Sequence, residues 1–572
     1  MCQKQWPRVN HCYPPSMRTK TYYESNKEAI DALSQALKVN TAYACLMHQR
    51  NIESIEEAKH YLNPAKEDLK DFSLLKNSHK AADYLEHHIQ SKHRIMLYGD
   101  YDVDGTSSIA LLYQALRLVL DEDLIITYFP DRKEEGYGIS IKGIEHAIKN
   151  DISLVIAVDC GTKDFDSVQL ARDHSIHVII CDHHEVGEEI PNAIYINPKQ
   201  HDCEYPFTSL SGCGVLFGML NHWAKTYHPE LDMYQFIDYV AISITCDMVA
   251  LEEDNRVLAS LGLEAMRQGN FSAPNIPRLI GDRYIDEESL TFYLGPKINA
   301  AGRLQRADMA LEALIGDDAR LVDQLDKENS KRRSLTQSMT KEALAQIHSA
   351  EYPYSNASLV WLPKGHSGVA GLVASRLVEV NQKPAIILCG DKEEATGSAR
   401  SAGNLNLYNL IQENEDHLLR WGGHHAAAGM SLKKESVKAF FLSINDSIGE
   451  VSFELEKTNI DCAVSFASLT PTFCQNLVRF GPFGMGNSSP VFCAEGITLR
   501  TNGLRSLGSS GSHYRLTLCD PQGNQRDALY FNAPRNLKEI ISGPFCLVFG
   551  LRPNLWRGVL SWDIVVKEIW SE

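Results

Sequence analysis

Three apolar runs in this sequence end on side chains that bind metal or move protons. Residues 176–180 (Ile-His-Val-Ile-Ile) run into Cys181-Asp182-His183-His184. Arg94-Ile-Met-Leu-Tyr98 runs into Gly99-Asp100-Tyr101-Asp102-Val103-Asp104-Gly105, and Leu154-Val-Ile-Ala-Val158 into Asp159-Cys160-Gly161. Short apolar runs bounded this way read as strands, and open α/β sheets carry their chemistry just outside the carboxyl ends of their strands. A further acid, Asp247, sits inside the apolar stretch Ile244-Thr-Cys-Asp-Met-Val249. Aspartate is seldom buried alone, so it reads as a ligand or as half of a buried ion pair.

Alternate residues of an extended segment point the same way, so Asp100, Asp102 and Asp104 are expected to project into one crevice. Carboxylates that close repel one another unless a cation sits among them. A solvated acidic turn is the competing reading of that motif by itself, as a cap is of Asp159. Gly105-Thr-Ser-Ser108 is expected to open a helix whose first amides can receive phosphate. A site of carboxylates with one or two imidazoles favours Mn²⁺ or Mg²⁺ over zinc. A carboxylate shared by two such ions is the usual device for in-line displacement at phosphorus.

The elements that must position these residues follow from the pattern between them. Strands are expected at 94–98, 124–129, 154–158, 177–181 and 193–196, alternating with helices at 106–120, 140–149, 167–174 and 214–227. That alternation implies a mostly parallel sheet with helices on both faces. A charged, proline-free stretch at 312–349 reads as one long helix. Its basic residues Arg306, Lys331, Arg332 and Arg333 are either a solvated face or the lining of a channel. A second α/β unit follows, with strands at 358–362 and 384–388 and a helix at 369–380. From about 451 onward, short β-like runs are broken by Gly, Pro, Asn and Ser, the texture of a small barrel. The expected division is therefore 1–53, an arm and a helix; 54–305, the catalytic domain; 306–350, the connecting helix; 351–450, a substrate-binding domain; and 451–572, a barrel resembling oligonucleotide-binding folds.

Composition narrows the class. The chain has 572 residues, 44% hydrophobic and 23% charged, which is ordinary for a globular protein of several domains. Its 14 cysteines include no Cys-x-x-Cys pair, which argues against structural zinc and a disulfide framework. No signal-like or membrane-spanning apolar run is apparent, so the expected location is the cytoplasm. A net charge of −17 does not forbid a local basic groove. Residues 500–572 carry nine Lys/Arg against six Asp/Glu. Arg505, Arg515, Arg526, Arg552 and Arg557 interleave there with Tyr514, Tyr530, Phe531 and Trp556, which suits tracking of a single strand.

The ordered set Asp100-Tyr-Asp-Val-Asp-Gly105, Val158-Asp-Cys-Gly161, Asp182-His-His184 and Asp247 resembles the DHH phosphoesterase superfamily. Asn299-Ala-Ala-Gly-Arg-Leu304, Gly397-Ser-Ala-Arg-Ser401 and Gly422-Gly-His-His-Ala-Ala-Ala-Gly429 extend the match, which runs from about His79 to the C-terminus. With the β-rich tail, the chain is similar to the branch that degrades single-stranded DNA. The resemblance implies two ions held by Asp102, Asp104, Asp159, His183 and Asp247, with Asp159 bridging. Asp100 is either a ligand or a group behind the ligands, and His184 is implied to face the scissile phosphate. It also implies 5′→3′ digestion to mononucleotides, action as a monomer, and partnership with a single-strand-binding protein and a helicase.

Residues on the substrate side have a physical reading too. Arg132 follows a strand and can reach a phosphate with the fork of its guanidinium. Ser398 and Arg400 lie in a turn-like segment and form a phosphate grip. Gly422, Gly423 and Gly429 permit close backbone approach, and His424 and His425 can donate to phosphate or stack on a base. Arg303 either touches the phosphate beside the ions or pairs with an acid. Two rivals remain: another DHH phosphoesterase acting on short oligonucleotides, and a non-catalytic scaffold that kept only the fold.

Overall fold

The computed structural model describes residues 21–131, 134–304, 307–448, 459–508 and 511–571. The expectations for Arg132, Arg306 and the start of the N-terminal arm fall outside the described residues. The chain divides into two compact units: Leu325 and the described residues before it join the segment from Asn459 onward, and the segment from Asp326 forms the other.

In the larger unit, strands β1 (Arg94–Gly99), β2 (Ile125–Tyr128), β3 (Ile152–Val158), β4 (His177–Cys181) and β5 (Ile194–Ile196) form a sheet in the order β2-β1-β3-β4-β5. Every pairing is parallel. The central strands are apolar on both faces because helices cover both: Leu97, Ile156 and Ile179 pack to one side, and Tyr98, Val155 and Ile180 to the other. Register then does the positioning. Gly99 pairs with Val158 and Val158 with Cys181, so Asp100, Asp159 and Asp182 leave three adjacent strands in one row.

The helix after β1 starts earlier than the sequence predicts. It spans Val103–Leu116, with Asp102 as its N-cap accepting from the Gly105 amide at 3.1 Å. Asp102 and Asp104 are therefore a cap and a first-turn residue, and alternation along an extended segment is not what brings the three acids together. The predicted long helix is two, Ala307–Ile315 and Ala319–Ile347. The break falls at Gly316-Asp317-Asp318, where the Asp318 carboxylate takes the Arg320 amide at 2.9 Å and caps the second helix.

In the smaller unit, β6 (Ser358–Leu362), β7 (Ala385–Cys389), β8 (Glu394–Arg400), β9 (Arg420–Gly423) and β10 (Ala427–Lys433) are ordered β6-β7-β8-β10-β9. The segment expected to be a turn around Ser398 and Arg400 is an interior strand. Its small residues serve packing: a Cβ on Gly397 would lie 1.8 Å from the Ile387 carbonyl oxygen.

The C-terminal strands are β11 (Cys462–Ala463), β12 (Phe492–Leu507), β13 (His513–Cys519), β14 (Gln525–Tyr530), β15 (Phe545–Trp556) and β16 (Val559–Ser571). Their order β11-β12-β13-β14-β16-β15 closes through β12 and β15 into a barrel. The N-terminal helices Lys27–Leu37, Thr41–Gln49 and Ile55–Leu62 share its core. Tyr43 stacks on Phe473 at 5.0 Å, and the Tyr22 amide donates to the Ile460 carbonyl at 2.8 Å. A boundary at 53/54 thus cuts through one shared core, because the apolar faces of these helices find their partner at the far end of the chain.

Arg256 joins this core to the helices that cover the parallel sheet. Its guanidinium lies 3.6 Å from the Tyr61 ring and donates to the carbonyls of Tyr61, Arg479 and Gly481. Arg256→Met would strand three carbonyls in a site that is 5% exposed. We expect a loss of about 2–4 kcal/mol in urea unfolding; an unchanged midpoint would contradict this role.

Candidate metal centre

Asp104 is firmly held behind the row. The Gly212 and Cys213 amides donate to its two oxygens at 2.8 and 2.9 Å, and the Ser243 hydroxyl donates at 2.7 Å. Those amides open helix Gly212–Tyr227, so a helix N-terminus balances this carboxylate. Gly212 is required for the approach: a Cβ there would lie 2.9 Å from the Asp159 Cβ.

Asp159 turns off β3 with φ of +58°, a left-handed conformation, and its amide donates to the Cys181 carbonyl at 2.9 Å. Its carboxylate lies 3.2 Å from His183 Nε2, which is also 3.8 Å from Asp104 and 3.7 Å from Asp247. Asp247 caps the C-terminal end of helix Ile237–Cys246. Asp182 stays out of this group. It accepts from the Thr162 and His183 amides at 3.0 and 2.7 Å and holds His184 Nδ1 at 2.7 Å. The two histidines therefore differ: the His183 side chain is 13% exposed among carboxylates, while His184 is 46% exposed and tethered from behind.

Burial, followed by the neighbouring charges of Asp104 and Asp102, pushes Asp159 and Asp247 well above the usual carboxylate range. Burial and then Asp104 raise Asp102 as well. In Asp182, burial works in the same upward direction, but hydrogen bonds from His184 and Thr162 reverse it and hold the acid below its ordinary value. For His184, burial opposes the proton and the Asp182 hydrogen bond restores it, with a net upward shift.

Crowded carboxylates of this kind fit divalent cations, which turn mutual repulsion into shared attraction. Three sets of ligand atoms each lie within 4.8 Å of one another: Asp100, Asp102 and Asp159; Asp104, His183 and Asp247; and Asp159, His183 and His184. Asp159 and His183 each belong to two sets. Asp159 joins the Asp100–Asp102 set to the His183–His184 set, and His183 joins the latter to the Asp104–Asp247 set.

Arg303 ends helix Gly295–Arg303, which lies against the Asp100–Asp102 loop. Gly302 makes that contact, since a Cβ there would sit 2.0 Å from the Tyr101 carbonyl oxygen. In the smaller unit, Ser398 and Arg400 share one face of β8 beside Gly371, at the start of helix Ala370–Asn381: a Cβ on Gly371 would lie 2.9 Å from an Arg400 nitrogen and 3.5 Å from the Ser398 hydroxyl. Of the three glycines picked out, only Gly423 is sterically demanded, since a Cβ added there would lie 2.3 Å from the Ala427 oxygen. His424 and His425 follow it at the β9–β10 turn, with ring centres 5.5 Å apart. In the barrel, Arg515 pairs with Asp527 and Arg526 donates to the Phe466 carbonyl. Arg557 lies 5.7 Å from the exposed Trp556 ring.

Two contributors were missed. Ser243 precedes Asp247 by one helical turn, and that i,i+4 spacing was the available signal. Tyr137 donates to the Asp159 carbonyl at 2.9 Å and meets His184 edge-on at 5.5 Å. Tyr137→Phe keeps the ring but removes that bond, worth about 1 kcal/mol. We expect kcat to fall about fivefold with little change in KM; unaltered kcat would remove Tyr137 from the site.

The family model for the DHH family N-terminal domain matches residues 94–244, the DHHA1 domain 357–450 and the RecJ OB domain 460–568. The single-stranded-DNA-specific exonuclease RecJ of Bacillus subtilis (strain 168) is 30% identical over 560 residues, covering 95% of this chain and 70% of that protein. The chain belongs to the RecJ family. A crystal structure of exonuclease RecJ bound to manganese matches 66% of this chain and 96% of its own, with a TM-score of 0.57 and 28% identity. RecJ from Thermus thermophilus in complex with Mn²⁺ has the same fold over 95% of this chain and 78% of its own, with a TM-score of 0.78 and 24% identity. RecJ-family membership accounts for the parallel-sheet domain, the second α/β domain and the C-terminal barrel expected from the sequence.

Proposed function

We propose that this chain is a Mn²⁺- or Mg²⁺-dependent exonuclease that degrades single-stranded DNA from the 5′ end to mononucleotides, in DNA repair and recombination in the cytoplasm. The observation that carries the reading is the sharing of Asp159 and His183 between overlapping ligand sets. The names and bound metals of the relatives support it. Among the described residues, no helix is long and apolar enough to cross a membrane.

Asp102, Asp104, Asp159, His183 and Asp247 would hold the two ions, with Asp100 beside Asp102. When bound, the ions supply Lewis acidity and neutralise charge during in-line displacement at phosphorus. Asp104 gains its fixed position from helix amides and Ser243, so it does not reorganise as charge develops. Asp182 orients His184 so that its Nε2 can donate to the scissile phosphate or the leaving oxygen. Arg132, Arg303, Ser398, Arg400, Gly423, His424 and His425 are proposed to hold the strand's phosphates. The protein would act as a monomer, fed by a helicase and aided by a single-strand-binding protein.

Digestion of a single strand labelled at either end, in Mn²⁺, Mg²⁺ or chelator, tests polarity, metal dependence and product size together. Mononucleotides released first from the 5′ label, and none in chelator, are expected. Efficient cleavage of dinucleotides alone would move the reading to a short-oligonucleotide phosphoesterase. Metal should also stabilise the fold: Mn²⁺ at about one hundred times its Kd adds roughly 2.7 kcal/mol by mass action. A melting temperature indifferent to Mn²⁺ would contradict the site.

A further inference from the structure

Beside the metal centre stands an exposed apolar group to which the chemistry above gives no task. Met248 directly follows Asp247, holds a left-handed φ of +59°, and is 67% exposed. The π-helical turn Leu290–Leu294 packs on the last turn of the same helix. The Thr291 hydroxyl donates to the Thr245 carbonyl at 2.9 Å, and Cys246 Sγ lies 3.5 Å from the Leu290 oxygen. Leu290 and Leu294 are fully buried, which anchors the turn and leaves Phe292 outward and 63% exposed. The face of the next ring, Tyr293, is covered by the Arg283 guanidinium at 3.7 Å. The Met485 carbonyl accepts from the Leu251 amide at 2.8 Å, and Met485 is 57% exposed.

Scattered surface hydrophobics are normal, but Met248, adjoining Asp247 in sequence, and Phe292, on the turn packed against Thr245 and Cys246, are two large ones in the same neighbourhood and call for an occupant. π-helical turns recur at functional sites. A strand whose phosphate lies among the acids must place its bases alongside, and every base offers a π-face to an aromatic ring whatever its identity. The soft thioether of methionine adapts to such a ring.

We infer that Phe292, on the turn packed against the helix that ends at Asp247, is a stacking platform for a nucleobase of the strand whose phosphate enters the metal centre, and this rests on the exonuclease reading above. The contact grips the base without reading it, which suits an enzyme that must accept any sequence. Phe292 is thus a base-contact residue with no part in proton transfer or metal binding.

The test uses the full chain in Mn²⁺ with a single-stranded oligodeoxynucleotide, and with the same strand carrying a tetrahydrofuran abasic residue at each of its first terminal positions in turn. Wild type should lose on the order of tenfold in kcat/KM at one abasic position. Phe292→Ala should show that loss on the normal strand and no further loss on the abasic one, while Phe292→Tyr behaves as wild type. Equal kcat/KM of Phe292→Ala and wild type on the normal strand, or an abasic penalty of the same size in both, would overturn the platform. A wild type that leaves the normal strand intact would instead sink the exonuclease reading, and the platform with it. A fluorescent adenine analogue at the sensitive position supplies a readout without turnover: Asp159→Asn should quench it on binding, and Asp159→Asn with Phe292→Ala should not. Equal quenching in both would also overturn the platform.

Discussion

Asp159→Asn is expected to lower hydrolysis of single-stranded DNA by on the order of a thousandfold, while raising the melting temperature of the chelated protein. Asparagine is the informative replacement because residue 159 has φ of +58°, which asparagine tolerates better than most residues. The variant keeps the shape of the side chain and removes the charge common to two ligand sets. Metal-free, that charge is held against burial and the acids at 102, 104 and 247. Its removal should therefore stabilise the apo fold by about 1–2 kcal/mol, the trade commonly seen when a functional site is neutralised. Strand binding should persist, since the phosphate-holding residues are untouched. Turnover near wild type, or a lowered melting temperature in chelator, would refute the assignment.

Gly302→Ala is the second large effect. The added methyl would lie 2.0 Å from the Tyr101 carbonyl oxygen, a backbone atom that cannot swing aside. Helix Gly295–Arg303 must then lift from the loop between Asp100 and Asp102, displacing those acids and Arg303 together. Shifts of about 1 Å at reacting groups cost on the order of a hundredfold, and we expect kcat/KM to fall by that much. Overpacking should cost about 1–3 kcal/mol in stability. Gly543→Ala is the matched control, with nothing within 4 Å of its added carbon. If both glycine variants hydrolyse DNA alike, the close helix contact is not what places the acids.

Much of this was legible because parallel strands announce themselves as apolar runs and carry their chemistry at one end. Asp100, Asp159 and Asp182 were found that way, and the register Gly99–Val158–Cys181 is the physical reason. The convergence of Asp102 and Asp104 was anticipated for a mistaken reason: the helix begins at Val103, so capping and a first-turn position do what extended alternation was expected to do. Ser243 escaped notice because it meets Asp104 across 139 residues of chain, and its i,i+4 spacing from Asp247 was the one local sign of it. The strand bearing Ser398 and Arg400 looked like a turn because glycine and serine are usual there. Here they are small because β7 and β10 flank the strand on both sides.

The core shared by the first helices and the last barrel has a consequence for how the protein is made. Cys45 Sγ meets the Asp461 carbonyl across 416 positions of sequence. At about 5–20 residues per second, a ribosome needs roughly 20–80 s to deliver the second partner after the first. During that interval Ile30, Leu33, Leu46 and Met47 have no barrel to cover them. The nascent chain thus exposes these helices until the barrel strands emerge, and a message cut short would leave a product marked for proteolysis by its uncovered N-terminal helices.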